Sequence, residues 1–285
     1  MQRRGLNLLL FAAFAVYAAA LASHVIFEAR DPFGIDRERA ARRLTAAMGH
    51  ALPGTPDLAA LDPRLAEAGL QRGMPVFIRI FKAEFELELW MLRDGRFQLF
   101  ATYPICRWSG ELGPKLREGD RQAPEGFYAF DVSALNPNSR WHRSFNVGFP
   151  NAYDRAHGRT GTFLMVHGGC ASIGCFAMTD PVIDEVWRLV TAALEKGQDR
   201  IPIHIFPFRM SQEAMQRMEG HRWHGFWSDL KTGHDHFEAH LLPPRVTLCH
   251  GRYRIADASK GGGWKAALAA ECPADGPRQR TEDGA

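Results

Sequence analysis

Hydrophobic and polar positions change period along this chain, and the changes mark its elements. From Pro75 onward short β-rich runs begin: Val76–Phe81, Glu84–Leu92 and Arg96–Tyr103. The run Glu84 to Trp90 alternates between acidic and apolar residues as far as Leu89, which predicts a strand with one wet and one packed face. Asp94-Gly95 between the second and third runs predicts a tight hairpin turn. Further strands are predicted at Gly126–Asp131, Thr162–Val166 and Ile201–Phe206, separated by loops rich in Gly, Pro and Asn. After Asp180-Pro181, read as an N-cap and a first-turn proline, the period becomes helical, with Val182, Val186, Leu189, Val190 and Ala193 on one face and Gly197 as the stop. Residues 211–256 read as a helical stretch, an aromatic-rich loop and a final strand pair, with Trp223, Phe226, Trp227 and Phe237 either a lid over a cleft or, as their packing area favours, the core of that extension. Trp108, Trp141, His142 and Phe145 fall in loops before the strand that ends at His167, where lining a groove and plain packing are equally compatible with the pattern.

The two ends are different. Arg3 and Arg4 precede an unbroken apolar run from Leu6 to Ala22 that ends in Ala20-Leu21-Ala22. Those are the parts of a secretory signal peptide, and the run also approaches the length of a membrane anchor. In either case the remainder is expected outside the cytoplasm. Residues 24–72 carry Arg, Ala, Asp and Pro, with a short helix expected near Asp36–Met48 and a turn at Pro63–Ala68. The tail after Ser259 is rich in Gly and Pro and reads as disordered. The expected organisation is a leader or anchor at 1–22, a helical linker at 23–72, a catalytic domain at 73–210, an extension at 211–256 and a tail at 257–285.

Composition adds little. Hydrophobic residues at 46 % and charged residues at 24 % are ordinary globular values, and a net charge of +3 without a basic block speaks against a nucleic-acid surface. The cysteines add more. There are five, an odd number, so at least one thiol is free or pairs outside the chain. Cys175 is the expected free thiol, because it ends a Ser-Ile-Gly-Cys turn in the segment Phe163-Leu-Met-Val-His-Gly-Gly-Cys-Ala-Ser-Ile-Gly-Cys-Phe-Ala-Met-Thr-Asp180. His167 lies within that segment as a base for the thiol, and the Gly174 and Cys175 N–H groups are candidate oxyanion donors. The helix start at Asp180 is placed to favour thiolate if the loop turns Cys175 toward it. Cys170 reads as a small packed residue beneath the loop. No second ligand pair accompanies His167, Cys170 and Cys175, which argues against structural zinc, and no metal is expected at His221, His224, His234, His236 and His240.

The motif His-Gly-Gly-Cys-Ala-Ser-Ile-Gly-Cys-Phe-Ala-Met resembles the signature of YkuD-type L,D-transpeptidases, a His-Gly followed by Ser/Thr-x-Gly-Cys, and more closely its YafK-like branch. Gly113-Pro-Lys-Leu-Arg-Glu-Gly-Asp120, Pro124-Glu-Gly-Phe-Tyr128, Pro202-Ile-His-Ile-Phe-Pro-Phe-Arg209 and the Phe226 to Tyr253 region are similar to that branch in the same order, over roughly residues 75–255. The resemblance implies a mainly β, sandwich-like fold with a flanking helix at about 181–196 and a C-terminal α/β extension. It implies Cys175 as nucleophile and His167 as general base, with Ser172, Gly174 and Gly168 shaping the acyl site and no cofactor. Lys115, Arg117 and Tyr153 are the candidate substrate contacts, with a solvated charged loop an equal alternative for Lys115 and Arg117, and His157 lies near enough to Tyr153 to support it. The implied substrate is the peptidoglycan stem peptide, attacked at the L-centre carbonyl of diaminopimelate to give a thioester. An amine acceptor then gives transpeptidation, and water gives hydrolysis that releases a wall-tethered lipoprotein or a D-amino acid. A wall-attached outer-membrane protein or lipoprotein is the implied protein partner, the implied location is the periplasm, and membrane contact is confined to residues 6–22 if uncleaved. A catalytically silent wall-binding module is the alternative of another class. This chain has Ile173 where most of the family has a second His, and Ala177 where most have an Arg.

Overall fold

A computed structural model of the chain describes residues 31–256 together with Tyr17. The leader or anchor at 1–22, Cys272 and the tail after Ser259 lie outside the described residues. Among the described residues no helix is long and apolar enough to cross a membrane. The chain divides into two units, 1–41 and 42–285, and every site discussed below belongs to the second.

Helix α1 is Ile35–Ala47 and helix α2 is Leu61–Glu67, close to the helix and turn that the pattern predicts. Strands β1 (Val76–Phe81), β2 (Glu86–Arg93), β3 (Arg96–Pro104), β5 (Gly126–Phe130) and β10 (Ile201–Phe206) form one sheet in the order β3-β2-β1-β10-β5. Strands β4 (Arg107–Trp108), β6 (Leu135–Ser139), β7 (His142–Asn146), β8 (Met165–His167) and β9 (Phe176–Ala177) form a second, in the order β4-β9-β8-β7-β6. Between β7 and β8 lies the short helix α3, Ala152–Ala156. The sheets face each other across an aromatic core, where Phe130 of the first stacks on Phe145 of the second at 4.6 Å. The mainly β, sandwich-like expectation therefore holds.

The second sheet is where the pattern reading falls short. Trp108, His142 and Phe145, expected in loops, lie in strands, the first in β4 and the other two in β7. Its strands run to five residues or fewer, and β6 reads Leu-Asn-Pro-Asn-Ser, so no alternation of useful length signals them.

Helix α4 (Asp180–Glu195) buries Val182, Ile183, Val186, Leu189, Val190 and Ala193, the stripe its spacing predicts, and contacts β7, β8 and β1. Thr179, not Asp180, occupies its N-cap position, and the Asp180 carboxylate turns back to accept the Gly169 N–H at 2.7 Å. Helix α5 is Gln212–Arg217 and helix α6 is His224–His240. The aromatic-rich stretch read as a loop is thus largely the helix α6, and its Trp227 and Phe237 are fully buried. Strands β11 (Arg245–Cys249) and β12 (Arg252–Ala256) form the final hairpin.

Helix α6 also overturns the half-wet reading of β2. It covers the outer face of the first sheet, where Phe237 packs on Phe77 at 4.8 Å and on Trp90 at 4.9 Å. Glu88, expected in water, is buried and accepts bonds from Arg79 at 2.8 Å, Arg209 at 2.9 Å and the Trp90 indole at 2.9 Å. Burial alone would push its carboxyl up, but Arg79 and these hydrogen bonds hold it below the usual range.

Candidate active site

Strands β8 and β9 run parallel in register, Val166 beside Phe176 and His167 beside Ala177. Val166 and Phe176 are fully buried toward the sandwich core. Because side chains alternate faces along a strand, Met165, His167, Ala177 and Cys175 share the opposite face. The register thus places Cys175 abreast of Met165 and His167 diagonally beyond. The Met165 N–H donates to Cys175 Sγ at 3.4 Å, and the thiol points at the Phe163 carbonyl oxygen at 3.6 Å. No hydrogen bond joins Cys175 to His167, a gap that substrate-free active sites often show.

His167 is buried, and its Nδ1 lies 2.6 Å from the Gly168 carbonyl oxygen. A carbonyl only accepts, so Nδ1 carries the proton and Nε2 keeps its lone pair. Burial lowers the imidazole pKa from its ordinary 6.5, with the Gly168 bond opposing. Burial likewise pushes the Cys175 thiol up, and the Met165 N–H and the Lys115 cation pull against it without prevailing. The resting pair is therefore a neutral thiol and a neutral imidazole.

The turn before Cys175 is tied by Ser172. Its hydroxyl donates to the Cys175 carbonyl at 2.6 Å and accepts the Gly174 N–H at 3.2 Å. Gly174 sits at φ +138°, a conformation that side-chain-bearing residues rarely adopt. In this structure the Gly174 N–H is held by the Ser172 hydroxyl, a bond that a reacting oxygen would have to replace. Around the thiol stand Ile173 and Phe163, 79 % and 72 % exposed, and Trp141, whose ring lies 6.2 Å from that of His167.

Cys170 is not a packed free residue. It forms a disulfide with Cys106, across a sequence separation of 64. The bond joins the cysteine loop to the β3–β4 junction, where backbone bonds from Cys106 to Ala177 and from Cys170 to Met178 run alongside. Cys249 is also disulfide-bonded, and Cys175 is the free cysteine among the described residues. Cys170→Ser is expected to lower the unfolding free energy by about 2–4 kcal/mol, the usual effect of opening a loop of this size. Denaturant unfolding under oxidising conditions reads that loss, and a midpoint equal to wild type would refute it.

A curated relative, "Putative L,D-transpeptidase YafK" of Escherichia coli K12, is 48 % identical over 184 residues, covering 65 % of this chain and 75 % of the relative. Its counterpart in Escherichia coli O157:H7 matches with the same identity and coverage. The chain belongs to the YafK-like branch of the L,D-transpeptidases. No family model matches it. Among solved structures, the helical cell shape determining protein Pgp2 (K307A mutant) of Campylobacter jejuni aligns with a TM-score of 0.39 at 18 % identity, covering 64 % of this chain and 66 % of that one. That likeness is too low to bear on the site.

In this L,D-transpeptidase-family chain the remaining candidates separate. Lys115 is buried, its stem against Gly161, and its ammonium donates to Asp120 at 2.5 Å and to the Arg117 carbonyl at 2.9 Å. It is therefore not a solvated loop cation, and it reaches Cys175 only through its field. Burial works to raise the Asp120 carboxyl, but the Arg117 N–H, Lys115 and further backbone donors hold it low. Arg117 is exposed, its N–H bonded to Asp120 at 3.0 Å. Tyr153 is buried in a ring stack with His157 at 4.1 Å and Tyr253 at 4.2 Å, which gives it a packing place rather than a substrate-facing one. Gly168 leaves no room for a side chain, since a Cβ there would lie 2.4 Å from Asp180 Oδ1.

A buried ion pair organises the loop beside the turn, and the sequence carried no signal for it. Lys82 and Glu125 are both fully buried and bonded at 2.8 Å, and Lys82 also donates to the carbonyls of Glu111, Gly113 and Ala123. Glu125 accepts the Gly113 N–H at 2.7 Å and the Trp227 indole at 2.8 Å. The loop so held touches the cysteine turn, with Ser109 Oγ 3.4 Å from Ser172 Oγ.

Proposed function

We propose that this chain is a cysteine acyltransferase acting on peptidoglycan stem peptides outside the cytoplasm. The observation that carries the reading is the free thiol of Cys175 on the same sheet face as an imidazole whose Nδ1 proton is tied to a backbone carbonyl. The name of the curated relatives supports the peptidoglycan assignment.

The steps follow from the groups present. His167 Nε2 takes the Cys175 proton as sulfur attacks the L-centre carbonyl of diaminopimelate, and the oxyanion forms beside the Cys175 N–H. Collapse breaks the C–N bond, the leaving amine takes its proton from His167, and a thioester remains on Cys175. An incoming amine, or water, gives its proton to His167 and attacks the thioester, restoring the thiol. Amine attack gives a crosslink or a protein–wall tether; water gives hydrolysis, the chemistry that would release a wall-tethered lipoprotein.

Intact-mass and peptide mass spectrometry after incubation with purified peptidoglycan tests the reading. The expected result is a stem-peptide adduct on the Cys175 peptide together with altered muropeptides. New crosslinks identify transfer, and loss of protein-bearing muropeptides identifies hydrolysis. Folded protein that acquires no adduct and changes no muropeptide would overturn it.

A further inference from the structure

Strand β8 places His167 in a row of three, between Ala177 of β9 and Ser144 of β7. Both pairings are direct, so the three side chains stand on one face, opposite to that of Val166 and Phe145. Ala177 and Ser144 are both fully buried. The methyl group of Ala177 offers no hydrogen bond, so Ser144 supplies the polar neighbour in the row. Directly opposed residues of an antiparallel pair bring their Cβ atoms to about 4.5–5.5 Å, within reach of a hydroxyl and an imidazole.

The Ser144 hydroxyl is closed to water and has no hydrogen-bond partner among the described residues. Buried polar groups are normally paired, and one left unpaired carries a desolvation cost that an alanine would not. The ring beside it has a matching opening. His167 Nδ1 is committed to the Gly168 carbonyl, and Nε2 makes no hydrogen bond among the described residues. Burial and the Gly168 bond set the protonation of the ring, and no charged side chain adds to them. Of the titratable groups around it, Asp180 of α4 accepts the Gly169 N–H, His142 of β7 is bonded to Asp184 of α4 at 2.9 Å, and Cys175 of β9 is held as a neutral thiol.

We infer that Ser144 is a positioning residue acting through His167: while the ring holds the proton taken from Cys175, the Ser144 hydroxyl turns its oxygen to the imidazolium and stabilises it. The inference rests on the function proposed above, in which His167 is the base. No proton passes through the serine. The proton moves from Sγ to Nε2 and then to the leaving amine, and the hydroxyl only rotates, with no resting partner to give up. An oxygen interacts more strongly with the charged ring than with the neutral one, so the contact favours the state that attack creates.

Ser144→Ala tests this by two readouts. The first is the His167 pKa, followed by NMR titration in Cys175→Ala protein, where no thiol titrates beside the ring. Removing the hydroxyl is expected to lower that pKa by about one pH unit, the tenfold factor at the low end for a hydrogen bond to a charged group. The second is adduct formation on Cys175 across pH. Its acid limb is expected to move down with the ring, and its plateau rate to fall about 3- to 10-fold because a weaker base takes the proton. The unfolding midpoint is expected at or above wild type, since an unpartnered hydroxyl has left a buried site. An equal His167 pKa with and without the hydroxyl would overturn the proposal. So would a lowered midpoint at unchanged pKa, the result for a purely structural serine. If the adduct forms with the same acid limb and rate in Ser144→Ala, the serine's role fails and the chemistry stands. If the ring responds to the serine but native protein forms no adduct, the contact stands and the chemistry fails.

Discussion

Cys175→Ala is expected to abolish acyl-adduct formation, and His167→Ala to slow acylation by about 10²–10⁴-fold, the range for losing a positioned base. The first removes the free thiol of the site, and among the described residues no second free thiol takes its place. The second leaves the thiol but removes its acceptor. Because burial raises the thiol and lowers the imidazole, ionised sulfur is scarce at rest and the base must act during attack. The sign in pH follows. A lowered imidazole stays neutral to lower pH than a free one, so the acid limb of kcat/KM is expected below 6.5. In His167→Ala that limb disappears, and the rate instead climbs with ionisation of the Cys175 thiol, above the ordinary 9.0. Adduct formation followed by mass spectrometry across pH measures both. An acid limb unchanged in His167→Ala would remove His167 as the base, and an adduct on Cys175→Ala protein would remove the nucleophile.

Glu125→Ala is expected to cost about 3–5 kcal/mol of stability, the usual consequence of stranding one charge of a buried pair. Lys82 would keep three backbone carbonyls but lose its counter-charge in a place fully closed to water. The Trp227 indole and the Gly113 N–H would lose their acceptor as well. Urea unfolding measures the loss as a fall in midpoint, and a change below about 1 kcal/mol at unchanged slope would show that water or relaxation replaces the pair. Adduct formation is expected to slow too, because the loop pinned by this pair packs beside Gly174 through the Gln122 backbone.

The sequence reading succeeded where the signal was local. Strands β1 and β10 lie at the residues their patterns predict, since each is a short run rich in Ile and Phe with a proline at one end, Pro75 before β1 and Pro207 after β10. The helix after Asp180-Pro181 follows its spacing to within a residue or two. It failed on β6, β7 and β9, whose pairing partners, not their own patterns, make them strands. It also failed on Cys170, because a half-cystine is indistinguishable from a packed cysteine until the chain brings Cys106 to a Cα separation of 5.3 Å.

What the sequence determined by itself is the family and its motif: a Cys and a His eight residues apart around a Gly-rich turn. Those are properties of covalent order and survive any detail of packing. The tertiary structure alone decided the environment: that Ser172 holds the Gly174 N–H, that Lys115 is buried and paired, and that β2 is covered on both faces. The first depends on how the turn closes on itself, and the others on how deeply a group is buried. Burial and long-range pairing arise only when the sheets and helices close on one another, and no local period along the chain encodes them.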